Sequence, residues 1–293
     1  MRKSLAVAVA LLFAAPLYAT PLAVPVSEFE WSPDVEDFGG LSGLEVDKDG
    51  LGFTAVSDDG VLYSGTLLRD GAGDLIGADI ERSQPLLIED DTRPDPKRFR
   101  DMEGLALLSD GQLAISAESR PRILIYSDVS GTPLRRELPK RAKRAPSNIG
   151  FEAFAVSQGG ALFLIPEGTN NIRTPFPIFR SSGNDVWTRI YGLPRVGGFR
   201  PVGADFGPDG HLYVLTRSFI GFAFQTRIDR VIFVDGEPIR HQHLFTSSLG
   251  QFDNLEGLAV WQGATGSLRL LAVSDDNFSR FQRTMMVEFL LQE

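Results

Sequence analysis

EGLAL at Glu103–Leu107 and EGLAV at Glu256–Val260 are one five-residue step written twice, about 150 residues apart. Three further segments align on it: SGLEV (Ser42–Val46), EAFAV (Glu152–Val156) and VGADF (Val202–Phe206). The second residue of each is Gly43, Gly104, Ala153, Gly203 or Gly257, so the unit recurs every 50 to 60 residues. Each step is followed by a glycine-containing turn: DKDG, SDG, SQGG, GPDG and QGATG. A second apolar run comes next (FTAVSDD, LAISAES, LFLIPEG, LYVLTRS, LLAVSDD), and then a third. The first four units add a fourth, more polar run, near IERSQPLLI, LRRELPK, WTRIYGLP and PIRHQHLFT. Self-similarity at this period, with four short strands per unit, is the signature of a β-propeller. A β-sandwich would not repeat one step five times, and a β-helix has a shorter period. The reading is an all-β propeller of five four-stranded blades, with six as the alternative. The fifth unit stops after MMVEFLLQE without a fourth strand. An orphan run, VSEFEWS (Val26–Ser32), precedes the first unit and is expected to complete the last blade and close the ring.

No stretch beyond the N-terminus carries a helical apolar period, and 30 Gly and 18 Pro suit a turn-rich all-β chain. Residues 1–19 read as a secretory signal peptide. Arg2 and Lys3 form the basic region, Ser4–Ala15 the apolar core, and the cut is expected near Ala19. The competing reading, a membrane anchor, needs about 20 apolar residues, more than this run supplies. No other stretch reaches transmembrane length. The expectation is therefore a periplasmic or secreted protein, residues 20–293 forming one propeller domain. The chain has no cysteine, which excludes thiol catalysis and thiolate metal sites. Its net charge of −9 argues against nucleic acid as a partner and suits cationic ones.

In a propeller the innermost strand of each blade lines a central channel. Glycine in the step lets neighbouring blades approach closely. The residue before it falls at one mouth of the channel: Glu103, Glu152 and Glu256 in three units, Ser42 and Val202 in the others. Asp101 and Asn254 adjoin these positions, with Asp205 nearby. The second strands end in Asp58, Asp59, Glu118, Glu167, Asp275 and Asp276. Antiparallel pairing brings those ends back beside the start of the first strand, so both sets should meet at one face. Packed carboxylates repel unless a cation neutralises them or some hold protons. One supplier is a hard divalent metal such as Ca2+, held by Asp58, Glu103, Glu152, Glu256, Asp275 and Asp276. The other is the local arginines Arg98, Arg100, Arg120, Arg173, Arg200 and Arg217. In that case the acids form Arg–Glu pairs that lock adjacent blades together.

Other chemistries find less support. There is no G-x-S-x-G elbow, phosphate-cradling loop or dinucleotide fingerprint. His241 and His243 share a strand face, but on an outer strand that reads as surface, and His211 opens a strand after a Pro-Asp-Gly turn. The basic run RRELPKRAKR (Arg135–Arg144) reads as a solvated loop or a contact for anionic surfaces. Phe219, Phe222 and Phe224 supply either core packing or an apolar wall for an organic substrate.

FGGLSGLEVD (Phe38–Asp47), the D-x-E-G-L-A step at Asp101, FEAFA (Phe151–Ala155), and NLEGLAV (Asn254–Val260) leading into AVSDD resemble the esterase-like activity of phytase family. These are exported bacterial proteins with a phytase-like propeller. The resemblance covers roughly Phe38–Phe289. It implies a propeller and hydrolysis of a phosphate or carboxylate ester. The acidic Asp-Ala-x-Asp-Asp-Pro-Ala segment of calcium-dependent propeller phytases is absent. The expected activity is metal-assisted hydrolysis of a small anionic or ester substrate. Glu103, Glu152 and Glu256 would be at its centre, with Arg100, Arg120 and Arg217 orienting the anionic group. A non-catalytic binding propeller and a calcium-dependent lactonase-like propeller are the alternatives.

Overall fold

The computed structural model describes residues 21–36, 38–88, 101–118, 122–137, 150–169, 171–181 and 186–293. The proposed signal peptide, Arg98, Arg100, Arg120 and most of the basic run lie outside these residues. The described residues form strands and turns with no helix. After β1 (Leu22–Glu30), blade 1 contains β2 (Leu41–Val46), β3 (Gly52–Ser57), β4 (Val61–Arg69) and β5 (Leu75–Pro85). Blade 2 contains β6 (Met102–Leu107), β7 (Leu113–Ala117), β8 (Arg122–Tyr126) and β9 (Arg135–Glu137). Blade 3 contains β10 (Ala153–Val156), β11 (Leu162–Ile165), β12 (Phe176–Ser181) and β13 (Trp187–Leu193). Blade 4 contains β14 (Arg200–Phe206), β15 (Leu212–Ile220), β16 (Ala223–Val234) and β17 (Glu237–Thr246). Blade 5 contains β18 (Leu255–Gln262), β19 (Leu268–Ser274), β20 (Met285–Gln292) and, on its outer edge, β1. The five antiparallel four-stranded sheets form a five-bladed propeller.

The orphan N-terminal run closes the ring. β1 pairs antiparallel with β20 from Leu22↔Gln292 to Glu30↔Met285. A buried charge cluster reinforces this seam. Glu288 on β20 is fully buried and accepts from Arg69 of blade 1 at 2.8 Å and Arg269 of β19 at 2.8 Å.

The core lies between blades, because the alternation of a strand sends successive side chains into opposite interfaces. On β18, Leu258 and Val260 pack toward blade 4, while Ala259 and Trp261 pack toward blade 1. β19 divides the same way, with Leu270 and Ala272 on one side and Leu271 and Val273 on the other. Each large side chain so buried contributes about 1.5–3 kcal/mol.

The glycine of the repeated step does what its position suggests. A Cβ on Gly203 would lie 2.2 Å from the Glu256 carbonyl oxygen of the next blade. One on Gly43 would lie 2.7 Å from Leu105 N, and one on Gly104 2.5 Å from Phe154 Cβ. Gly203→Ala is therefore expected to cost roughly 1–3 kcal/mol, since rigid backbone must shift to admit the methyl. Gly159→Ala, whose Cβ meets nothing within 4 Å, serves as the control. Urea midpoints of the two variants measure the difference, and equal midpoints would contradict the close-approach role.

Candidate functional site at the channel mouth

A bulge interrupts the ladder at the residue before each step glycine; in blade 4 that residue, Val202, packs into the core shared with blade 5 and not into the channel mouth. Register shifts fall between Leu41 and Gly43, Met102 and Leu105, Pro201 and Gly203, and Leu255 and Gly257. Each inserts the pre-glycine residue out of the ladder, a device that re-aims a side chain. The loops entering the innermost strands then bond to the ends of the second strands. Asp58 N donates to Gly40 O, Glu118 N to Asp101 O, Glu167 N to Gly150 O and Asp275 N to Asn254 O. Aligned on the second strand, the five blades place Asp58, Glu118, Glu167, Arg217 and Asp275 at one equivalent position. Blade 4 thus supplies the cation, and it lacks the pre-glycine glutamate, having Val202 there.

Glu103, Glu152, Glu256, Asp275 and Asn254 are all buried. Burial pushes the Glu103 carboxyl well up, and Glu152, Glu256, Glu118 and Asp101 push it further. Glu152 is likewise raised by burial and then by Glu167 and Glu256, with Arg217 opposing. Burial also raises Glu118 to about 6 and, with Glu256 beside it, Asp275 to about 7. On Arg217, burial opposes the charge, but Glu256, Glu152, Glu167 and Asp275 outweigh it and raise the pKa. These mutual influences show that Glu103, Glu152, Glu256 and the strand-end acids share one electrostatic neighbourhood.

The arginines of blade 4 neutralise part of the ring by bridging to both neighbours. Arg217 Nη2 lies 2.9 Å from Glu256 Oε1, and Arg200 Nη1 lies 3.5 Å from Glu167 Oε1. Asn254 Nδ2 also donates to Glu256 Oε1 at 2.8 Å. The blade-locking role expected of Arg–Glu pairs is therefore real on this side. Arg173 is exposed on a blade 3 loop. Blade 2 differs. Asp101, Glu103 and Glu118 bring carboxylate oxygens within 4.8 Å of one another, and no ion pair to them is found among the described residues. Asp101 holds a left-handed backbone conformation, φ 33°, uncommon for a non-glycine residue and found where a loop is over-determined by its surroundings. This trio of hard oxygen donors fits a cation such as Ca2+. Of the residues assigned to a metal from the sequence, Glu103 belongs to it. Asp101 and Glu118 are visible in the sequence as neighbouring acids, but the ligand set expected from it does not include them. Asp276 is committed elsewhere: its carboxylate accepts from Gly40 N, Phe278 N and Thr284 Oγ1, tying blade 5 to the entry of blade 1. Asp58 and Asp59 are half-buried at the end of β3.

Asp205, read from the sequence as near this mouth, lies farther down the channel. The bulge at Val202 resets the alternation, and three residues along a strand span about 10 Å. Asp205 Oδ2 accepts from Val260 N on the next blade at 2.6 Å, and its repeat equivalent, Glu45, accepts from Leu107 N at 3.1 Å. Burial raises Asp205 to about 7, and burial together with the facing Asp205 raises Glu45. A carboxyl whose folded pKa exceeds its unfolded one stabilises fully below the unfolded value, and that contribution is lost as pH rises through the folded value. Wild-type stability is thus expected to fall between about pH 4 and pH 7 relative to Asp205→Asn, by up to about 1.4 kcal/mol per pH unit. Parallel denaturation curves for the two proteins across that window would remove this assignment.

A cleft of about 710 Å3 opens beside the acids. Its walls include Phe219, Phe222 and Phe224 of the β15–β16 hairpin, Phe252, and Phe281 of the β19–β20 loop. Arg217 and Asn254 also line it, linking it to Glu256. The phenylalanines named from the sequence therefore form a wall. His241 and His243 lie on the outer strand β17, away from the channel, and His211 Nδ1 accepts from Phe233 N.

Among solved structures, similarity extends to a luciferin-regenerating enzyme, 12% identical over 91% of this chain and 95% of that chain, with a TM-score of 0.47. The PQQ-bound aldose sugar dehydrogenase from Streptomyces coelicolor is 12% identical over 93% and 100%, with a TM-score of 0.41. A glucose dehydrogenase is 13% identical over 85% and 81%, also with a TM-score of 0.41. No curated protein matches the sequence. A family model does match, over residues 36–278, and on that match the chain belongs to the phytase-like family described as esterase-like activity of phytase.

Proposed function

We propose that the protein is an exported hydrolase that cleaves an ester at the channel mouth with the help of a divalent cation, calcium being the best fit. The observation that carries this reading is the convergence of Asp101, Glu103 and Glu118 in a mouth crowded with further carboxylates. Membership of a family described by esterase-like activity supports the reaction class. A bound cation would polarise the ester oxygen and lower the pKa of water. The chain's own residues set the rest. Glu152 and Glu256 flank the trio electrostatically. Asn254 and Arg217 hold Glu256 in place at one edge of the cleft. Asp275 stands outside the trio, accepts a hydrogen bond from Asn277 N, and is pushed up to about 7 by burial with Glu256 beside it. It suits the general base that takes a proton from the attacking water. Water adds to the ester, the bond to the leaving oxygen breaks, and acid and alcohol result.

Metal analysis of purified protein and calcium titration by calorimetry test the cation. A panel of phosphate and carboxylate esters, with and without chelator, tests the reaction. The expected result is one tightly held divalent cation and ester turnover that the chelator removes. Full turnover in metal-stripped protein, or no cation uptake, would reject the reading.

A further inference from the structure

The cleft beside Arg217 has features that define its ligand more narrowly than the acid ring does. The β15–β16 hairpin continues beyond Arg217 to a two-residue turn at Gly221 and Phe222, with Ile220 paired to Ala223. β15 has nine residues, against four in β11 and five in β7. The extension carries aromatic side chains past the mouth. Phe219 is 58% exposed and Phe222 89% exposed, and across the cleft Phe281 is 97% exposed. Exposed aromatic side chains lining one concave space mark a binding site. A volume near 700 Å3 lies within the roughly 300–1,000 Å3 of small-molecule pockets.

The charges in this cleft are paired. Arg217 is matched by Glu256 at 2.9 Å, and Arg283 Nε by Asp253 Oδ2 at 3.6 Å. Among the described lining residues an anionic ligand would find no uncommitted cation, and it would face the carboxylates behind them. Two polar atoms buried behind the cleft surface, on residues that line it, nevertheless have no partner: Arg217 Nε, a donor, and Asn254 Oδ1, an acceptor on a side chain only 1% exposed. Buried polar groups are rarely left unpaired in proteins, and such orphans point to a missing ligand or water.

We propose that this cleft is the subsite for the uncharged apolar part of the substrate, an aryl or acyl group flanked by an amide or ester. The aromatic walls hold the ring or chain, and the unpaired Arg217 Nε–H and Asn254 Oδ1 behind them are reached through a water or by a turn of the side chain. The assignment rests on the hydrolase reading for its role in catalysis, while occupancy of the cleft is measured without turnover. It places the enzyme's substrates among neutral aryl or acyl esters and not among polyanionic phosphate esters.

The probe is N-phenylacetamide, a neutral amide analogue of an aryl ester, observed by saturation-transfer NMR and titrated by calorimetry on chelator-treated mature protein. Phenyl phosphate is the anionic counterpart. N-phenylacetamide is expected to bind, and phenyl phosphate to bind at least tenfold more weakly. Phe222→Ser and Phe281→Ser alter exposed rings, so their melting temperatures should stay within a degree or two of wild type. Each should weaken the amide roughly three- to tenfold, leaving calcium titration unchanged. Absence of amide binding, equal binding by both variants and wild type, or preference for phenyl phosphate overturns the proposal. Cleft occupancy without cation uptake sustains it and rejects only the metal-assisted reading.

Discussion

Glu288→Ala lowers the melting temperature by roughly 6–20 °C. The expectation follows from where the closing seam stores its charge. Glu288 has no solvent exposure, and its two oxygens serve Arg69 from blade 1 and Arg269 from blade 5. Both guanidiniums are themselves largely buried, and Arg69 Nη2 already lacks a partner. Removing the carboxylate leaves two desolvated cations facing each other with nothing between them. Breaking a buried pair from one side costs about 3–5 kcal/mol, and a chain of this size loses about 2–4 °C per kcal/mol. The location amplifies the consequence. Blade 5 draws β1 from the N-terminus and β18, β19 and β20 from the C-terminus, so weakening this seam weakens the closure of the ring. Glu288→Gln separates charge from volume. It retains the shape and one acceptor but not the charge, and should fall between wild type and the alanine variant. A thermal scan showing Glu288→Ala within 2 °C of wild type would mean that the cluster does not hold the seam.

Much of this architecture is legible in the repeat. Five copies of one step, each followed by three or four short strands, leave the propeller as the solution, and the missing fourth strand of the last unit points to the N-terminal run that supplies it. The meeting of two acid sets follows from antiparallel pairing alone. The site is less legible because its details depend on departures from regularity. The bulges that take the pre-glycine residues out of the ladder leave no separate mark in the sequence. They also move Asp205 to a lower level, where it bonds to Val260 of the neighbouring blade. Asp276 looks identical to Asp275 in a sequence, yet the turn after β19 points it at Gly40 and Thr284. A Cβ on Gly39 would come within 2.7 Å of it, so that contact requires the glycine. The cation of blade 4 is legible too: Arg217, named from the sequence among the neutralising arginines, stands where the other blades have an acid once the second strands are aligned. The choice of the blade 2 trio is not, because it depends on how a left-handed Asp101 meets Glu118 across one loop.

In the proposed calcium site, Glu103→Gln is expected to weaken calcium at least about 10-fold, taking the loss of an outer-shell partner, about 10–100-fold, as the lower bound for removing a ligand. The same substitution is expected to make the metal-free protein more stable. Glu103 is buried among Glu152, Glu256, Glu118 and Asp101, and both burial and those neighbours disfavour its charge. A neutral amide of the same shape relieves that cost, so the melting temperature in chelator should rise above wild type near neutral pH. The paired signs separate a site defect from a folding defect. A misfolded variant loses affinity and stability together, whereas loss of a ligand from a repulsive cluster lowers affinity and raises apo stability. Calcium should also stabilise wild type far more than the variant, because a ligand that binds only the folded state adds RT ln(1 + [L]/Kd). Glu237→Gln, on the outer strand β17 and 62% exposed beside Arg180, should change neither quantity. If Glu103→Gln binds calcium like wild type, the cation is not held by this trio. If it melts lower in chelator, the carboxylate is a stabilising structural group and the mouth is not the repulsive cluster that a bound cation would relieve.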